Sequence, residues 1–542
     1  MTVAAAPFTA PPVLIESPRR GLGILVRFGL RRDRVRLVVW TVSIVLTVVA
    51  TVASVKGLYP TPTDLRNAAI AAKDNAAAII FNGPPLSLDT VGGQVAFQTS
   101  TFGLILMGLM SVFLLGRATR GEEEAGRSEL LRALPVGADA PDAAALLTVG
   151  AVNVVTGTVV ALSLIALGLE ATGSIVFGLS FTLFGIFMAA VTLVAAQVTE
   201  NTRVVYGIGG VVLGAAFVLR AVGDVGDGTV SWLSPIGWAQ KTRPYSGNVW
   251  WPFLVILAAT AALAWLTVTL SRRRDLGAGL VAPRVGRVHA APSLGRPVGL
   301  AMRLQRGSLV GWSAGLLVLA VAYGWITDSI NDFVNDNQAI TDIIAAKGGG
   351  TLTEQYLAMS FRILALIASG FAIQSALRIR SEEHAHRAEA VIVAGASRRR
   401  FASSHLAVAF GGTLAVLVVN GLGFGIAAAA ATGDRGTVGT ALTTSMIYAP
   451  AVWILIAVTV ALVGLAPRAS GAAWGALGAC FVIGMFGQIL HLPGWVQNLS
   501  PFQHVPEYPA TNLAVIPLVV LTAVAAVLTA VGLLGLQHRD LA

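Results

Sequence analysis

Long apolar runs are the feature of this sequence that most restricts its fold. Twelve runs carry few charged residues, and they lie at 37–56, 97–116, 143–169, 174–197, 204–222, 250–270, 309–327, 359–378, 405–431, 438–464, 471–490 and 513–535. A helix of roughly 20 apolar residues crosses the ~30 Å hydrocarbon layer of a bilayer. The runs are continuous, whereas the strands of a transmembrane barrel would alternate between apolar and polar residues. The sequence therefore predicts an all-α polytopic membrane protein with twelve transmembrane helices.

Composition and the placement of charge agree with a location in the membrane. Only 12% of the 542 residues are charged, and the mean hydropathy is +0.76, which is too apolar for a soluble globule. The net charge of +10 is compatible with nucleic-acid binding, but the arginines cluster beside the predicted spans, at Arg19–Arg36 and Arg272–Arg274, while the loop 328–354 is acidic. By the positive-inside rule we expect both termini in the cytoplasm of a plasma-membrane protein, without a nucleic-acid partner.

Three markers recur in the same order along the chain and predict an internal duplication. The first is a charged island, which we define as residues 117–131 in the first half and 378–391 in the second; Glu122, Glu123, Arg127 and Glu129 of the first island match Glu382, Glu383, Arg387 and Glu389 of the second. The second marker is Arg31, Arg34 and Trp40, which match Arg303, Arg306 and Trp312. The third is Leu233-Ser234-Pro235, which matches Leu499-Ser500-Pro501. Parallel repeats of this kind are typical of transporters.

The duplication predicts four segments. Residues 37–271 and 308–542 would form two homologous six-helix halves. Residues 1–36 and 272–307 would be cytoplasmic, each with an Arg-rich helix lying at the inner membrane surface.

Each island has the pattern of a short amphipathic helix exposed on the cytoplasmic surface. Glu123 and Arg127, like Glu383 and Arg387, stand four residues apart with the acid first, the favourable order for an ion pair on a helix. A solvated connector would also be charged. The same arrangement of two glutamates, an arginine and a further glutamate in both halves favours a surface on which a partner docks.

Two other groups of residues are candidates for transport roles. The Leu-Ser-Pro elements stand in loops rich in aromatic residues and prolines, which predicts either an aromatic belt or re-entrant helices that gate a cavity from outside. The second and eighth spans carry residues that would suit a cavity for hydrophobic molecules, although they could equally face lipid or other helices: Phe97, Phe102, Met107, Phe113, Met359, Phe361 and Phe371.

Enzymatic and metal chemistry have little support in the sequence. A phosphate-binding P-loop ends in Gly-Lys-Ser or Gly-Lys-Thr, but the one lysine that precedes a threonine, Lys241, follows Gln240. Any ATPase is therefore expected to be a separate protein. The single cysteine, Cys480, permits no disulfide framework, and His384 and His386 lack a convergent third ligand, so no metal site, cofactor or catalytic residue is predicted on this chain.

The doubled Glu-Glu-x-x-x-Arg-x-Glu islands, the Leu-Ser-Pro loops and the twelve spans resemble an ABC-2-type transporter permease, most closely the fused actinobacterial antibiotic and multidrug exporters of the tetronasin type. The resemblance covers essentially the whole chain. It implies that the islands are coupling helices, that two copies of a nucleotide-binding subunit carry ATP and Mg²⁺, and that the substrate is a hydrophobic or amphipathic small molecule. In the second half, His384 and His386 replace Glu124 and Gly126, so the two docking contacts need not be equal.

The alternative function is a proton-coupled secondary multidrug transporter. Such transporters also have twelve spans in two halves, but they need ionisable residues inside the membrane. The candidates lie near predicted span ends, and none is a central carboxylate with an obvious partner: Glu170, Glu200, Arg220, Arg362 and His405.

Overall fold

The computed structural model describes residues 21–73, 76–127, 129, 136–137, 140–273, 278–281, 289–336, 350–486 and 492–538. Within these ranges the secondary structure is entirely helical. The chain divides into two compact units, Met1–Val285 and Gly286–Ala542. The division falls inside the predicted linker 272–307.

The first unit contains ten α-helices in the described residues. They are α1 Leu22–Leu58, α2 Pro62–Lys73, α3 Ala76–Asn82, α4 Val91–Ala118, α5 Arg120–Glu124, α6 Ala140–Ala166, α7 Ala171–Val198, α8 Thr202–Val225, α9 Pro235–Gln240 and α10 Pro252–Ser271. A short 3₁₀ helix, Val230–Leu233, precedes α9. Helices α4 and α7 are the most buried, so they form the centre of this unit.

The second unit contains nine α-helices in the described residues. They are α11 Pro297–Asp336, α12 Leu352–His384, α13 Arg387–Val393, α14 Arg398–Thr432, α15 Gly436–Met446, α16 Ala449–Leu465, α17 Ala472–Phe486, α18 Gly494–Gln497 and α19 Val515–His538. Three 3₁₀ helices lie at Pro292–Gly295, Pro467–Ala469 and Pro501–His504. Helix α12 is central here, as α4 is in the first unit.

Eleven helical segments in the described part of the chain are long and apolar enough to cross a membrane, and one of them, Gly436–Leu465, consists of α15 and α16 together. They coincide with all the predicted spans except 471–490. In that region α17 has 15 residues, and residues 487–491 lie outside the described ranges. The chain is thus a multi-pass helical membrane protein, and its twelfth transmembrane helix stays a prediction.

The Arg-rich segment before each half is continuous with the first span of that half. Helix α1 has 37 residues and α11 has 40, so α1 alone is ~55 Å long. The predicted boundaries at residues 36 and 307 therefore fall inside helices, because neither segment has a proline at that point and Gly307 does not interrupt α11. Contact of the Arg-rich ends with lipid headgroups stays a prediction.

Paired glycines let long helices approach closely in both units. A Cβ added to Gly157 on α6 would lie 2.4 Å from the carbonyl oxygen of Gly178 on α7, and one added to Gly178 would lie 2.3 Å from the oxygen of Gly157. In the second unit, a Cβ on Gly464 of α16 would lie 2.1 Å from the oxygen of Gly532 on α19. Small residues at such crossings are what membrane helices use to bring their backbones into contact.

Replacing Gly157 with alanine is expected to destabilise the first unit by about 1–3 kcal/mol, since the added methyl group forces α6 and α7 apart. Thermal unfolding of the purified protein in detergent measures the effect. Gly150→Ala on the same helix is the matched control, because a Cβ there meets no atom within 4 Å. Equal melting temperatures for the two variants would show that the crossing does not limit stability.

Candidate functional site

The first island is built around a buried carboxylate. Glu122, at the end of the second span, is 9% exposed. It accepts two hydrogen bonds from Arg127, from Nε at 2.7 Å and from Nη2 at 3.2 Å. Arg32 on α1 approaches the same carboxylate through Nη1 at 3.0 Å. The hydrogen bond to Glu122 raises the pKa of Arg127, so the pair stays charged wherever Glu122 is ionised.

The second island repeats this geometry closely. Glu382, at the end of α12, is 3% exposed, and Arg387 reaches it through Nε at 2.7 Å and Nη2 at 3.3 Å. Here the additional cation is Arg378 from α12 itself, 2.5 Å away. The hydrogen bond to Glu382 likewise raises the pKa of Arg387. The same bidentate ion pair between an arginine and a glutamate therefore stabilises both islands.

The spacing predicted for these ion pairs was wrong by one residue. Each arginine bonds the glutamate five positions before it, and not the one four positions before it as the continuous-helix pattern predicted. The reason is a break in the helix between the partners, where Gly126 and His386 take left-handed backbone conformations with φ of 70° and 55°. After this break the arginine turns back toward the buried carboxylate.

The predicted exposure of the island carboxylates was also wrong in part. Glu383 is 7% exposed. It lies with Glu382 at the end of α12, whereas Glu122 lies in the short helix α5 that follows α4. Glu129 and Glu389 are exposed, as predicted. The buried carboxylates hold the island together, and the exposed ones can meet a partner surface. One of these, Glu389, lies 3.0 Å from His386 Nδ1 in the same island.

Other arginines that the sequence reasoning did not select also fix the islands. Arg120 is 1% exposed and donates to the carbonyl oxygens of Ala196 and Ala278 and to Glu123. In the second unit Arg380 lies 3.5 Å from Glu383. Both arginines share the offset of 260 that relates the island glutamates, so the repeat itself was the signal that would have found them.

The Leu-Ser-Pro elements are breaks between short helices in both units. Ser234 is fully buried, donates to the carbonyl oxygen of Ala216 at 2.6 Å and caps α9 by accepting from Gly237 N. Ser500 is also fully buried and separates α18 from the 3₁₀ helix Pro501–His504. The leucines before them, Leu233 and Leu499, are 67% and 68% exposed.

The loop after α9 is held by buried polar contacts. Tyr245 bonds Ser174 Oγ at 2.9 Å, and its ring fills the space above Gly92 and Gly173 at the starts of α4 and α7. Burial raises the pKa of Tyr245 to about 12. Its hydroxyl therefore stays neutral at physiological pH and keeps its hydrogen bond to Ser174.

A buried arginine connects helix α3, which lies between the first two candidate spans, to helix α8. Arg220 on α8 is fully buried and donates to the carbonyl oxygens of Ile79 at 2.9 Å and Ile80 at 2.6 Å. Asp224, one turn later, lies 3.6 Å from its guanidinium. The last carbonyls of a helix have no partner inside it, so Arg220 satisfies the C-terminal end of α3.

Gln240, the last residue of α9, contacts the C-terminal residue of α3, Asn82. Gln240 Nε2 donates to the carbonyl oxygen of Asn82 at 3.0 Å and lies 2.8 Å from Thr101 Oγ1. Thr101 donates to the same carbonyl at 2.7 Å. Together with Arg220, these contacts tie α3 to α4, α8 and α9.

The residues predicted to line a substrate cavity occupy different environments. Phe97 lines a small cavity of about 30 Å³ together with Phe177, Phe181 and Gln240. The cavity has room for little more than a water molecule. The other predicted residues are either packed in the core, namely Met107, Phe361 and Phe371, or at least 41% exposed, namely Phe102, Phe113 and Met359.

The long apolar helices define a multi-pass membrane protein. Residues 294–537 match the family described as "Multidrug efflux system permease Rv1217c, C-terminal domain". Over 540 residues, the chain is 37% identical to the multidrug efflux system permease protein Rv1217c of Mycobacterium tuberculosis (strain ATCC 25618 / H37Rv), and the match covers 98% of each chain. The chain belongs to this family of multidrug efflux permeases.

Proposed function

We propose that this chain is the membrane-spanning subunit of an ATP-driven exporter of hydrophobic or amphipathic small molecules, including drugs and antibiotics. In this proposal the chain is an ABC-2-type permease of the tetronasin type, and a separate nucleotide-binding subunit binds ATP and Mg²⁺. The Leu-Ser-Pro breaks would act as outer gates.

The observation that carries the proposal is the equal construction of the two islands. Each has a buried glutamate at the end of the second candidate membrane span of its unit, an arginine that returns to it after a break, and an exposed glutamate two residues later. A connector that only links two spans has no need of this geometry twice. Two matched, rigid and charged surfaces suit docking by two copies of one partner.

Purification of the complex tests the stoichiometry. One copy of this chain is expected to copurify with two nucleotide-binding subunits, because each half supplies one docking surface. Mass photometry or native mass spectrometry measures the mass of the complex. A complex with one ATPase chain, or with two copies of this permease, would contradict the proposal.

The orientation of the chain has its own test. Single cysteines at Asp64 and at Glu354 are expected to react with a membrane-impermeant maleimide added to intact cells, since both positions lie on the predicted outer side. The variants are made in a Cys480→Ala background, so that each protein has a single cysteine, even though Cys480 is buried. A cysteine at Arg399 should react only after the membrane is permeabilised, and the reverse pattern would invert the topology.

The second candidate, a proton-coupled transporter, is favoured by one observation. Asp224 is a carboxylate with a 7% exposed side chain inside a membrane-length helix, and it lies beside Arg220. Proton relays use buried ionisable residues of this kind. Arg220, however, is held by two backbone carbonyls, which favours a structural role for the pair.

A further inference from the structure

We propose that the second unit binds the headgroup region of an anionic phospholipid in a cavity beside the Glu382–Arg387 pair. This site goes beyond the proposed function, since it depends only on the membrane location of the chain. The cavity lies where α11, α12, α13 and α14 come together.

The cavity is large enough for part of a lipid and has one apolar wall. Its volume is about 160 Å³, similar to the ~150 Å³ of cavities that accept a benzene ring. Five side chains form the apolar wall: Pro297, Leu300, Leu304, Val391 and Phe401. Leu304 is 38% exposed, and α11 is among the least buried spans, so lipid has access to this wall.

The remaining wall is polar, with Glu382 and Arg387 lining the cavity as an ion pair. Arg378 does not line the cavity but also pairs with Glu382, so the three groups together carry one positive charge. Arg387 uses Nε and Nη2 for Glu382, which leaves Nη1 for another acceptor.

His405 gives this wall a second hydrogen-bond donor. Gln305 accepts from Ser375 through Oε1, and its Nε2 lies 3.2 Å from His405 Nδ1. An amide nitrogen can only donate, so in this arrangement Nδ1 accepts and the neutral ring carries its proton on Nε2. The Ser404 hydroxyl, also in the wall, donates to the carbonyl oxygen of Phe401.

The first unit places an arginine where the second unit has Leu304. The offset of 272 that relates Arg31 to Arg303 also relates Arg32 to Leu304. Arg32 reaches from α1 to Glu122, but a leucine cannot make this contact. The second island is therefore not a simple copy of the first: it keeps the buried pair and has a space in place of the arginine.

The arginines and apolar side chains around the cavity favour an anionic amphiphile as its ligand. Exposed arginines stand on the helices that form the cavity or beside them: Arg296, Arg303, Arg306, Arg399 and Arg400. Basic residues next to apolar side chains at the end of a membrane helix attract anionic headgroups while the apolar part meets the acyl region. A soluble anion would leave the apolar wall uncovered.

Lipid titration of the purified full-length permease tests the site without the ATPase. Native mass spectrometry in detergent counts bound dioleoylphosphatidylglycerol, with dioleoylphosphatidylcholine and inorganic phosphate as comparison ligands. Saturable binding of dioleoylphosphatidylglycerol is expected, without comparable binding of dioleoylphosphatidylcholine or inorganic phosphate. Binding of both lipids with equal affinity, or displacement of the anionic lipid by phosphate alone, would overturn the proposal.

Three variants locate the binding. Arg387→Gln is expected to weaken binding of the anionic lipid about fivefold, the factor for one basic residue near an anionic surface, and Leu300→Trp should weaken it by filling the cavity. Arg435→Gln is the control, because it removes an exposed arginine beyond the opposite end of α14 that does not line the cavity. If Leu300→Trp leaves binding unchanged, or if the control loses as much as Arg387→Gln, the cavity is not a lipid site and a side chain of a protein partner becomes its better occupant.

Discussion

Arg220→Ala is expected to lower the stability of the purified protein by about 3–5 kcal/mol, the usual cost of removing one partner of a buried ion pair. The change leaves Asp224 buried without the Arg220 guanidinium, and it removes the arginine donors to the carbonyl oxygens of Ile79 and Ile80. Ile79 keeps its hydrogen bond from the backbone N–H of Gly83. Thermal unfolding in detergent, followed by size-exclusion chromatography, measures the loss. Helix α3 should also become more accessible to protease, because Arg220 connects it to α8.

A matched control and a double variant separate charge from packing. Arg203→Ala removes an exposed arginine from the same helix and is expected to leave stability unchanged. Arg220→Leu combined with Asp224→Leu should recover part of the stability lost in Arg220→Leu, since no charge stays buried. A double variant that is less stable than Arg220→Leu would show that Asp224 has a favourable role independent of Arg220.

Reversing the exposed island charges is expected to weaken the ATPase complex strongly. In the double variant that combines Glu129→Lys with Glu389→Lys, each substitution would replace an attractive charge-assisted contact with a repulsive one. The loss is about ten- to hundredfold in affinity for each contact of ~1.5–3 kcal/mol. Both glutamates are exposed, so the membrane fold should be unaffected. Copurification of the ATPase and substrate-stimulated ATP hydrolysis measure the effect.

Two comparisons make this prediction specific to docking. Asp64→Lys, in the loop predicted to lie outside, is the charge-reversal control and should leave the complex intact. Glu382→Gln removes the charge of a buried carboxylate that holds Arg378 and Arg387, and it is expected to lower thermal stability first. If the exposed variants retain the complex while Asp64→Lys loses it, the predicted orientation and the docking role are both wrong.

The sequence located the islands but not their internal geometry. The glutamates and arginines recur at a fixed offset, and this recurrence is visible in the chain. The pairing over five residues depends on the helix break at Gly126 and His386. A glycine at that place is a common signal for the end of a helix, but a histidine in the left-handed region carries no such signal.

Contacts made through the backbone were beyond the reach of sequence reasoning. Arg220 was visible as an ionisable residue near a span end, yet its partners are the carbonyl oxygens of Ile79 and Ile80, which any residue would supply. The burial of Glu382 was missed for a related reason. A charged residue at the end of a span can face water or neighbouring helices, and only the packing of α12 decides between them.

The spans themselves could be predicted almost completely from hydropathy. Eleven of the predicted runs coincide with membrane-length helices, because the physical requirement is only length and apolar composition. The continuity of α1 and α11 through their Arg-rich ends was not predicted. A rise in charge was interpreted as a change of helix, although neither Arg36 nor Gly307 interrupts the helical backbone.

Reconstituted transport measures the central claim most directly. The permease is placed in liposomes with and without its nucleotide-binding partner, and movement of a fluorescent amphipathic dye is followed. The account predicts transport only with both the partner and Mg-ATP, and transport that persists when a protonophore collapses the proton gradient. Dye movement by the permease alone, driven by a proton gradient and abolished by the protonophore, would contradict it and establish the secondary transporter instead.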